Sequence, residues 1–469
     1  MDDNVMRVLQ MLQDGKITAQ EAETLIAALR GEKAGSEPKE EPQPDDGEKN
    51  GFFFTFDKIK AKKIDLDDLG ERISRAVSKV QPEKILRRVQ AQIRTVSRSG
   101  ASWSATVSAR VRNWTDGEDT RPVNPAGQPE QAGEHEQESH LDTGALVMVE
   151  NPLGDILITA GDHATAVITA RKKVWGANAE ILKANSEQIE IAVHGTDSRL
   201  DIKVSAPDFF RSGTVDLELK VPKSIHARLS TRYGRNEISG IEGRAEAVST
   251  SGAISLRDLG ADARCESASG GIKLENILGA ATVASQSGDI DARKVKKGLS
   301  ANSASGDVFA DEVEGGRVEC KSVSGDVRAA RLGLENPLDI TIESISGAVS
   351  LSDANGNIGL KAVSGDVVAE RLVASRLQAQ TVSGDVSVSI REPFHGAMQL
   401  NTVSGDVSLA LPEGSNARVS LGSTSGELHC DHDATDITAG ETLWTGQIGT
   451  GAGTINVQTL SGDVRISRA

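Results

Sequence analysis

The densest group of side chains that could do chemistry lies near the carboxyl end, in the run His429-Cys430-Asp431-His432-Asp433. Imidazole, thiolate and carboxylate groups are the usual ligands of zinc. On an extended strand, however, successive side chains point to opposite faces. His429, Asp431 and Asp433 would share one face and Cys430 and His432 the other, so a tetrahedral site needs a bend or a second chain. We therefore expect surface polar residues here and keep His429, Asp431 and His432 as the candidate metal ligands.

A second set of acidic side chains follows a recurring Ser-Gly pair. Its members are Asp289, Asp307, Asp326, Asp366, Asp385, Asp406 and Asp463. Stacked carboxylates could bind calcium, but each calcium ion takes six to eight oxygen ligands, and here one acid occurs per 18 or more residues. Gly permits unusual turn conformations, and Asp bonds readily to backbone groups two residues on. We predict a structural column of turn residues rather than a calcium site.

The remaining nucleophiles and acids give no catalytic set. Cys265 and Cys320 have no His neighbours, so we expect small buried residues rather than nucleophiles. A polysaccharide hydrolase or lyase would need carboxylates and aromatic rings in a groove, and the chain has only 13 aromatic residues. No glycine-rich phosphate loop or Ser-His-Asp order stands out. We expect no catalytic residue and no cofactor.

The Ser-Gly pair recurs at a regular spacing that defines the fold. From residue 251 onward it occurs eleven times, with its Gly at 252, 270, 288, 306, 325, 347, 365, 384, 405, 426 and 462. Self-similarity at a period of about 18 to 22 residues is typical of a solenoid. Apolar residues alternate on either side of each turn, which indicates strands with one buried face. We predict a mainly β protein, a parallel right-handed β-solenoid of Ser-Gly-Asp repeats.

The regions before the repeats differ in composition. Alternating strands begin near residue 141, so residues 141–235 are predicted to be a β-rich cap, with one short helix at 178–187, and residues 236–469 the solenoid. Residues 1–30 show two helical stripes and a capping box, and are predicted to form a helical hairpin. Residues 31–50 and 115–140 are acidic and are predicted to be linkers.

A basic segment, residues 51–114, lies between these two linkers. It holds 14 Lys and Arg against six Asp and Glu. Its apolar residues recur mostly every four positions, and Pro82 divides it. Three interpretations stay open: a membrane-surface segment, a helix packed on the rest of the protein, and a nucleic-acid patch. The candidate membrane-surface residues are Arg72, Arg75, Lys79, Lys84, Arg87 and Arg88.

Net charge and hydropathy restrict where we expect the protein to be located and which classes of partner it can bind. The net charge of −16 disfavours a whole-protein nucleic-acid binder. No apolar run reaches the length of a transmembrane helix, and the first residues lack the pattern of a secretory signal. We expect a cytoplasmic protein, peripheral at the inner face of the membrane through its basic segment. A protein partner or a second copy would bind the hairpin, which is too small to bury a core alone.

The repeats and the hairpin together resemble a known family. The Ser-Gly-Asp-Val repeats follow Asn151-Pro-Leu-Gly-Asp-Ile156 and Val215-Asp-Leu-Glu-Leu-Lys-Val-Pro222, and they resemble the bacterial putative-adhesin β-strand repeat family over residues 141–469. Leu12-Gln-Asp-Gly-Lys-Ile-Thr18 with its Glu-rich helix resembles the SHOCT-like domain that precedes such repeats in envelope-stress proteins of the YvlB and LiaX type. The resemblance implies a non-enzymatic binding or sensing role in the cell-envelope stress response. The alternatives are a polymerising bactofilin-like β-helix scaffold and an exported surface adhesin.

Overall fold

The computed structural model describes residues 122–125, 127–162, 164–208 and 210–469. The predictions for the helical hairpin, the linker at 31–50 and the basic segment lie outside these described residues. The described part of the chain consists mainly of strands joined by short turns, with one short helix. Its strands form two sheets, here called sheet A and sheet B, and each regular coil of the chain adds one strand to each sheet.

The first elements of the described chain precede the Ser-Gly repeats. They are β1 (Glu130–His140), β2 (Leu146–Asn151), β3 (Ile156–Gly161), β4 (Thr165–Trp175), α1 (Ala179–Glu187), β5 (Glu190–Thr196), β6 (Arg199–Ser205), β7 (Gly213–Pro222), β8 (His226–Thr231) and β9 (Asn236–Ser239). The helix confirms the prediction at 178–187. It begins after Asn178, whose side-chain oxygen accepts a hydrogen bond from the backbone N–H of Ile181.

The regular coils follow. Their strands are β10 (Ala245–Ser249), β11 (Ile254–Leu259), β12 (Ala263–Ser267), β13 (Ile272–Ile277), β14 (Ala281–Ser285), β15 (Ile290–Val295), β16 (Leu299–Ser303), β17 (Val308–Val313), β18 (Arg317–Ser322), β19 (Val327–Leu332), β20 (Leu338–Ser344), β21 (Val349–Lys361), β22 (Val367–Gln380), β23 (Val386–Ile390), β24 (Ala397–Asn401) and β25 (Val407–Leu411). Each strand pairs in parallel with its equivalent one coil away, as in Val386 with Val407. This confirms a parallel, solenoid-like β architecture.

The order of the coils changes at the carboxyl end. The last strands are β26 (Ala417–Gly422), β27 (Leu428–Cys430), β28 (Ala434–Ala439), β29 (Leu443–Ile448), β30 (Gly453–Gln458) and β31 (Val464–Arg468). β30 pairs with both β24 and β26, and β31 pairs with both β25 and β27. The final coil of the chain is therefore inserted between the two coils that precede it in sequence.

Antiparallel strands end both sheets at the amino end of the coil stack and end sheet B at its carboxyl end. At the amino end β4 pairs with β7, and β5 with β6; at the carboxyl end β29 pairs with β26 and β28. β1 pairs with β4 along eleven residues, so the predicted linker 115–140 ends in a strand. Composition did not reveal this strand, since its side chains are nearly all exposed and only its backbone is held by β4. Polar outer strands of this kind protect a sheet edge from unwanted pairing.

The core lies between the two sheets and consists of small and medium aliphatic side chains. In β23, Val386, Val388 and Ile390 are buried and the two serines between them are not. This two-residue period repeats in nearly every coil, which is why a core with few aromatic rings still packs. Cys265 and Cys320 occupy such inward positions and are fully buried.

Candidate interaction surface

The seven predicted turn aspartates lie at the corner where the chain passes from sheet B to sheet A. We call Asp289, Asp307, Asp326, Asp366, Asp385, Asp406 and Asp463 the acidic column. Parallel pairing places successive members in adjacent coils, with Ala348 standing between Asp326 and Asp366. Neighbouring strands lie about 4.8 Å apart. The column is therefore a linear array of carboxylates along one corner.

Each aspartate in the column bonds to the next coil rather than to its own turn. The Oδ1 atom of Asp289 accepts a hydrogen bond of 2.9 Å from the backbone N–H of Asp307, and Asp307 accepts one of 2.9 Å from Asp326. Equivalent bonds of 2.7 to 2.9 Å connect Asp366 with Asp385, Asp385 with Asp406 and Asp406 with Asp463. Asp463 in turn accepts one from the backbone N–H of Glu427. The expected bond within the turn is replaced, because stacking brings the next corner's N–H within reach.

A ladder of hydroxyl groups beneath the corner was missed by sequence reasoning. Ser or Thr stands three residues before the turn Gly in ten of the eleven turns, and Ala362 is the exception. The Ser285 hydroxyl accepts a hydrogen bond of 2.8 Å from the N–H of Gly288. Farther along, the Thr381 hydroxyl donates to the carbonyl of Gly365 in the preceding coil at 2.9 Å. The spacing was the available signal, and these bonds fix the corner backbone.

The turn glycines are required by close approach between coils. A Cβ atom built on Gly384 would lie 2.4 Å from the carbonyl oxygen of Gly365, and one on Gly288 would lie 2.3 Å from that of Gly270. Gly384 also has a φ of +150°, a conformation that other residues rarely adopt. The Ser-Gly-Asp triplet thus combines a glycine for contact between coils with a carboxylate that bonds along the stack.

An aliphatic stripe runs beside the acidic column on the same corner. It consists of Val323, Ile345, Val363, Val382, Val403 and Leu460, all half-buried. Backbone bonds place its members in consecutive coils; the N–H of Ser383, for example, donates to the carbonyl of Val363 at 3.0 Å, and that of Ser404 to Val382 at 2.9 Å. We call the acidic column and the aliphatic stripe together the corner edge.

The two halves of the acidic column differ in their charge partners. Arg328 lies 3.6 Å from a carboxylate oxygen of Asp307 and 2.6 Å from one of Asp326. No Lys, Arg or His of the described residues forms an ion pair with the exposed Asp366, Asp385, Asp406 or Asp463. The negative charge of the corner edge is therefore concentrated toward the carboxyl end.

The candidate metal ligands are brought only partly together. The Nε2 atom of His429 lies 2.5 Å from Oδ1 of Asp431, whose Oδ2 lies 3.2 Å from Arg465. The hydrogen bond with His429 is the largest cause of a lowered pKa at Asp431, and the contacts with Arg465 lower it further. His432 turns instead toward the backbone carbonyl of Ser467, 3.3 Å away. Among the described residues no group of three or more His, Cys, Asp or Glu is arranged to hold a metal ion.

The three cysteines are free thiols. Burial raises the pKa of Cys265 and raises that of Cys320 to about 12, and the adjacent glutamates Glu266 and Glu319 add to these shifts. Burial also raises the pKa of the half-buried Cys430. A thiol is nucleophilic as the thiolate, so the two fully buried cysteines are chemically quiet.

The membrane-surface candidates lie outside the described residues. Arg72, Arg75, Lys79, Lys84, Arg87 and Arg88 precede the described residues. In the described part of the chain, no helix has both the length and the apolar character needed to cross a bilayer.

Comparison with known proteins supplies a family. The family described as Toastrack DUF4097 matches residues 154–331 and residues 281–467. These two overlapping matches together span about two thirds of the chain. Residues 3–34 match the SHOCT-like domain, where the sequence predicts the helical hairpin. These matches confirm the resemblance found in the Ser-Gly-Asp repeats and the amino-terminal motif. None of the curated proteins matches the chain.

One solved structure matches, that of a protein described as a putative cell adhesion protein from Clostridium sporogenes. The match has 10% sequence identity and a TM-score of 0.15, and it covers 72% of this chain and 100% of that chain. A TM-score this low carries no argument about function.

Proposed function

Because the chain belongs to the Toastrack DUF4097 family, we propose that it is a non-enzymatic binding protein of the bacterial cell-envelope stress response. The solenoid supplies the interaction surface, and the corner edge is the binding site on it. The observation that carries this proposal is the corner edge itself, where a regular row of carboxylates runs beside a row of aliphatic side chains. We also propose a right-handed winding of the coils, since parallel crossovers strongly prefer that hand.

The corner edge is suited to binding because its groups are held in place before a partner arrives. The Oδ1 atom of each bonded aspartate is engaged by a backbone N–H, as in the 2.8 Å bond from Asp406 to Asp385. Fixing a charged group in advance lowers the entropy lost on association. A partner with basic and apolar side chains in alternating rows would be complementary to the two rows.

The basic segment is proposed to hold the protein near the inner face of an anionic membrane. Each Lys or Arg close to such a surface contributes about 1 kcal/mol of attraction. Arg72, Arg75, Lys79, Lys84, Arg87 and Arg88 supply this charge next to aliphatic residues. The hairpin at 1–30 would then recruit a protein partner or a second copy.

End-to-end polymerisation is the less favoured alternative. A polymerising solenoid adds coils in parallel at its ends, but here antiparallel strands end both sheets at the amino end and sheet B at the carboxyl end, where sheet A ends in the three-residue parallel strand β27. β1 and β4 lie at one end, and β28 and β29 at the other.

A reporter of envelope stress tests the proposal in the native host. Cells lacking the gene are compared with wild-type cells after treatment with a cell-wall antibiotic. We expect the induction of the stress reporter to differ severalfold, whereas a reporter of cytoplasmic heat stress stays unchanged. Equal induction of the envelope reporter in both strains would overturn the proposed function.

Liposome binding tests the membrane part separately. The full chain and a version lacking residues 51–114 are sedimented with anionic and with neutral liposomes. We expect only the full chain to follow the anionic liposomes, and salt to release it. If both versions remain in the supernatant, the basic segment does not bind a membrane surface.

A further inference from the structure

We infer that residues 83–98, the second half of the basic segment, dock on the carboxyl-terminal half of the corner edge of the same molecule when anionic lipid is absent. This inference rests on the proposed function, because it concerns the occupant of the same binding site. It would make the site self-occupied until lipid or a partner competes for the basic residues.

The carboxyl-terminal half of the corner edge carries negative charge that no neighbouring cation of the described residues balances. Asp366, Asp385, Asp406 and Asp463 occupy consecutive coils and are exposed. Each gives one carboxylate oxygen to a backbone N–H, and no cation of the described residues pairs with the other. Carboxylates about 4.8 Å apart repel one another, since this spacing is well below the Debye length of about 8 Å at physiological salt. A cationic occupant would relieve this repulsion.

The aliphatic stripe lies beside those carboxylates and offers an apolar surface. Val363, Val382, Val403 and Leu460 stand two residues before the turn Gly in the same four coils and remain half-buried. An ion alone would cover the charges and leave the stripe in water. The site therefore fits a segment that carries both basic and aliphatic groups.

Residues 83–98 have this composition. Ile85, Val89, Ile93 and Val96 recur every three or four positions, as on one face of a helix. Five basic residues accompany them against the single acid Glu83; they are Lys84, Arg87, Arg88, Arg94 and Arg98. Pro82 stands just before this run, a position where proline is tolerated at a helix start. The charge of the run is thus opposite to that of the edge.

The length of this run as a helix also matches the length of the aliphatic stripe. A helix rises about 1.5 Å per residue, so the span from Ile85 to Val96 is about 16 Å. The stripe from Val363 to Leu460 crosses three coil spacings, or about 14 Å. The 24 residue steps from Arg98 to the first described residue reach at most about 80 Å. β1 lies eleven strand positions from β22 in sheet A, or about 53 Å, so the connection can span the distance.

A second copy of the corner edge fits this site poorly. Two edges laid against each other would oppose one acidic column with another, and like charges brought together destabilise the contact. The occupant is therefore expected to be basic. The basic segment meets this requirement and belongs to every molecule that carries the site.

Hydrogen exchange of the full chain tests the inference without lipid. We expect backbone amides of residues 84–98 to be protected in the wild type. The variant Asp366→Asn, Asp385→Asn, Asp406→Asn should lose this protection at least about tenfold, because Asn keeps the Oδ1 acceptor and removes the charge. The matched control is Asp258→Asn, Asp262→Asn, Asp339→Asn, which removes three exposed carboxylates outside the corner edge, each of which also accepts through Oδ1, and should keep the protection. Salt at about 0.5 M should also remove it in the wild type.

Three results would overturn the inference. They are free exchange of residues 84–98 in the wild type, equal protection in both triple variants, and protection that disappears on tenfold dilution, which would indicate contact between molecules. None of them depends on the stress reporter, so failure of the docking and failure of the proposed function can be told apart.

Discussion

The Oδ1 atom of Asp385 accepts a hydrogen bond of 2.8 Å from the backbone N–H of Asp406, one coil farther along the stack. The carboxylate thereby has two separable roles. One oxygen satisfies a backbone donor at the corner, and the charge of the group contributes to the acidic column. Substitutions can remove the charge alone or the charge together with the acceptor.

Asp385→Ala removes the acceptor for the Asp406 N–H, whereas Asp385→Asn keeps it. We expect the alanine variant to lose about 0.5–1.5 kcal/mol of unfolding free energy. The asparagine variant should be unchanged or slightly more stable, because repulsion within the column falls. Urea unfolding of both variants measures the difference. Equal loss in the two variants would show that the charge, not the acceptor, stabilises the corner.

Ala362 interrupts the hydroxyl ladder, so Ala362→Ser should restore it. The new hydroxyl would stand where Thr381 stands one coil later, and Thr381 donates to the Gly365 carbonyl at 2.9 Å. We expect a gain of about 1 kcal/mol in unfolding free energy, and a loss of similar size for Thr381→Ala. Thermal and urea unfolding give the values. A serine variant less stable than the wild type would contradict this account of the ladder.

Gly384→Ala places a Cβ against the Gly365 carbonyl oxygen, 2.4 Å away. Such overlap costs about 1–3 kcal/mol or more, since the coils cannot separate locally without breaking their ladder. Gly359→Ala is the matched control, because its nearest contact, the Ile340 carbonyl oxygen, lies 3.8 Å away. We expect the control to be close to neutral in unfolding free energy. If both glycine variants unfold at the same denaturant concentration, close packing between coils does not explain why glycine recurs at the turns of this chain.

The cysteines should differ in reactivity. With a pKa of about 12, Cys320 is thiolate in only about one molecule in ten thousand at pH 8, because a raised pKa lowers the thiolate fraction below it. Ellman's reagent is expected to label one thiol, Cys430, in the native protein and all three after unfolding. In Cys430→Ser no thiol should react before unfolding. Rapid native labelling of Cys265 or Cys320 would show that the coils open there.

The repeat spacing alone predicted the parallel stack and its inward face. In β23 and β25 a two-residue alternation of apolar and polar side chains defines the buried positions, so the core could be read directly from residues such as Val386 and Leu409. The acidic column followed from the same period, because parallel register places equivalent residues in adjacent coils.

Other features depend on which strands meet in space. β1 has almost no buried side chain and was predicted as linker, since its pairing with β4 is made by backbone atoms. The insertion of the last coil between β24 and β26 cannot be read from the residue spacing, in which the longer interval between Gly426 and Gly462 shows only that the repeat changes there. The direction of the Asp385 hydrogen bond also differs from the local turn expectation, because it needs the neighbouring coil.

Complementation in the native host decides whether the corner edge is the binding site through which the protein acts in the envelope-stress response. Cells lacking the gene receive the wild type, the variant Asp366→Asn, Asp385→Asn, Asp406→Asn, or the control Asp258→Asn, Asp262→Asn, Asp339→Asn, and the envelope reporter is measured after a cell-wall antibiotic. We expect the wild type and the control to restore the wild-type response, whereas the edge variant, present at equal level, does not. Full restoration by the edge variant would contradict the claim.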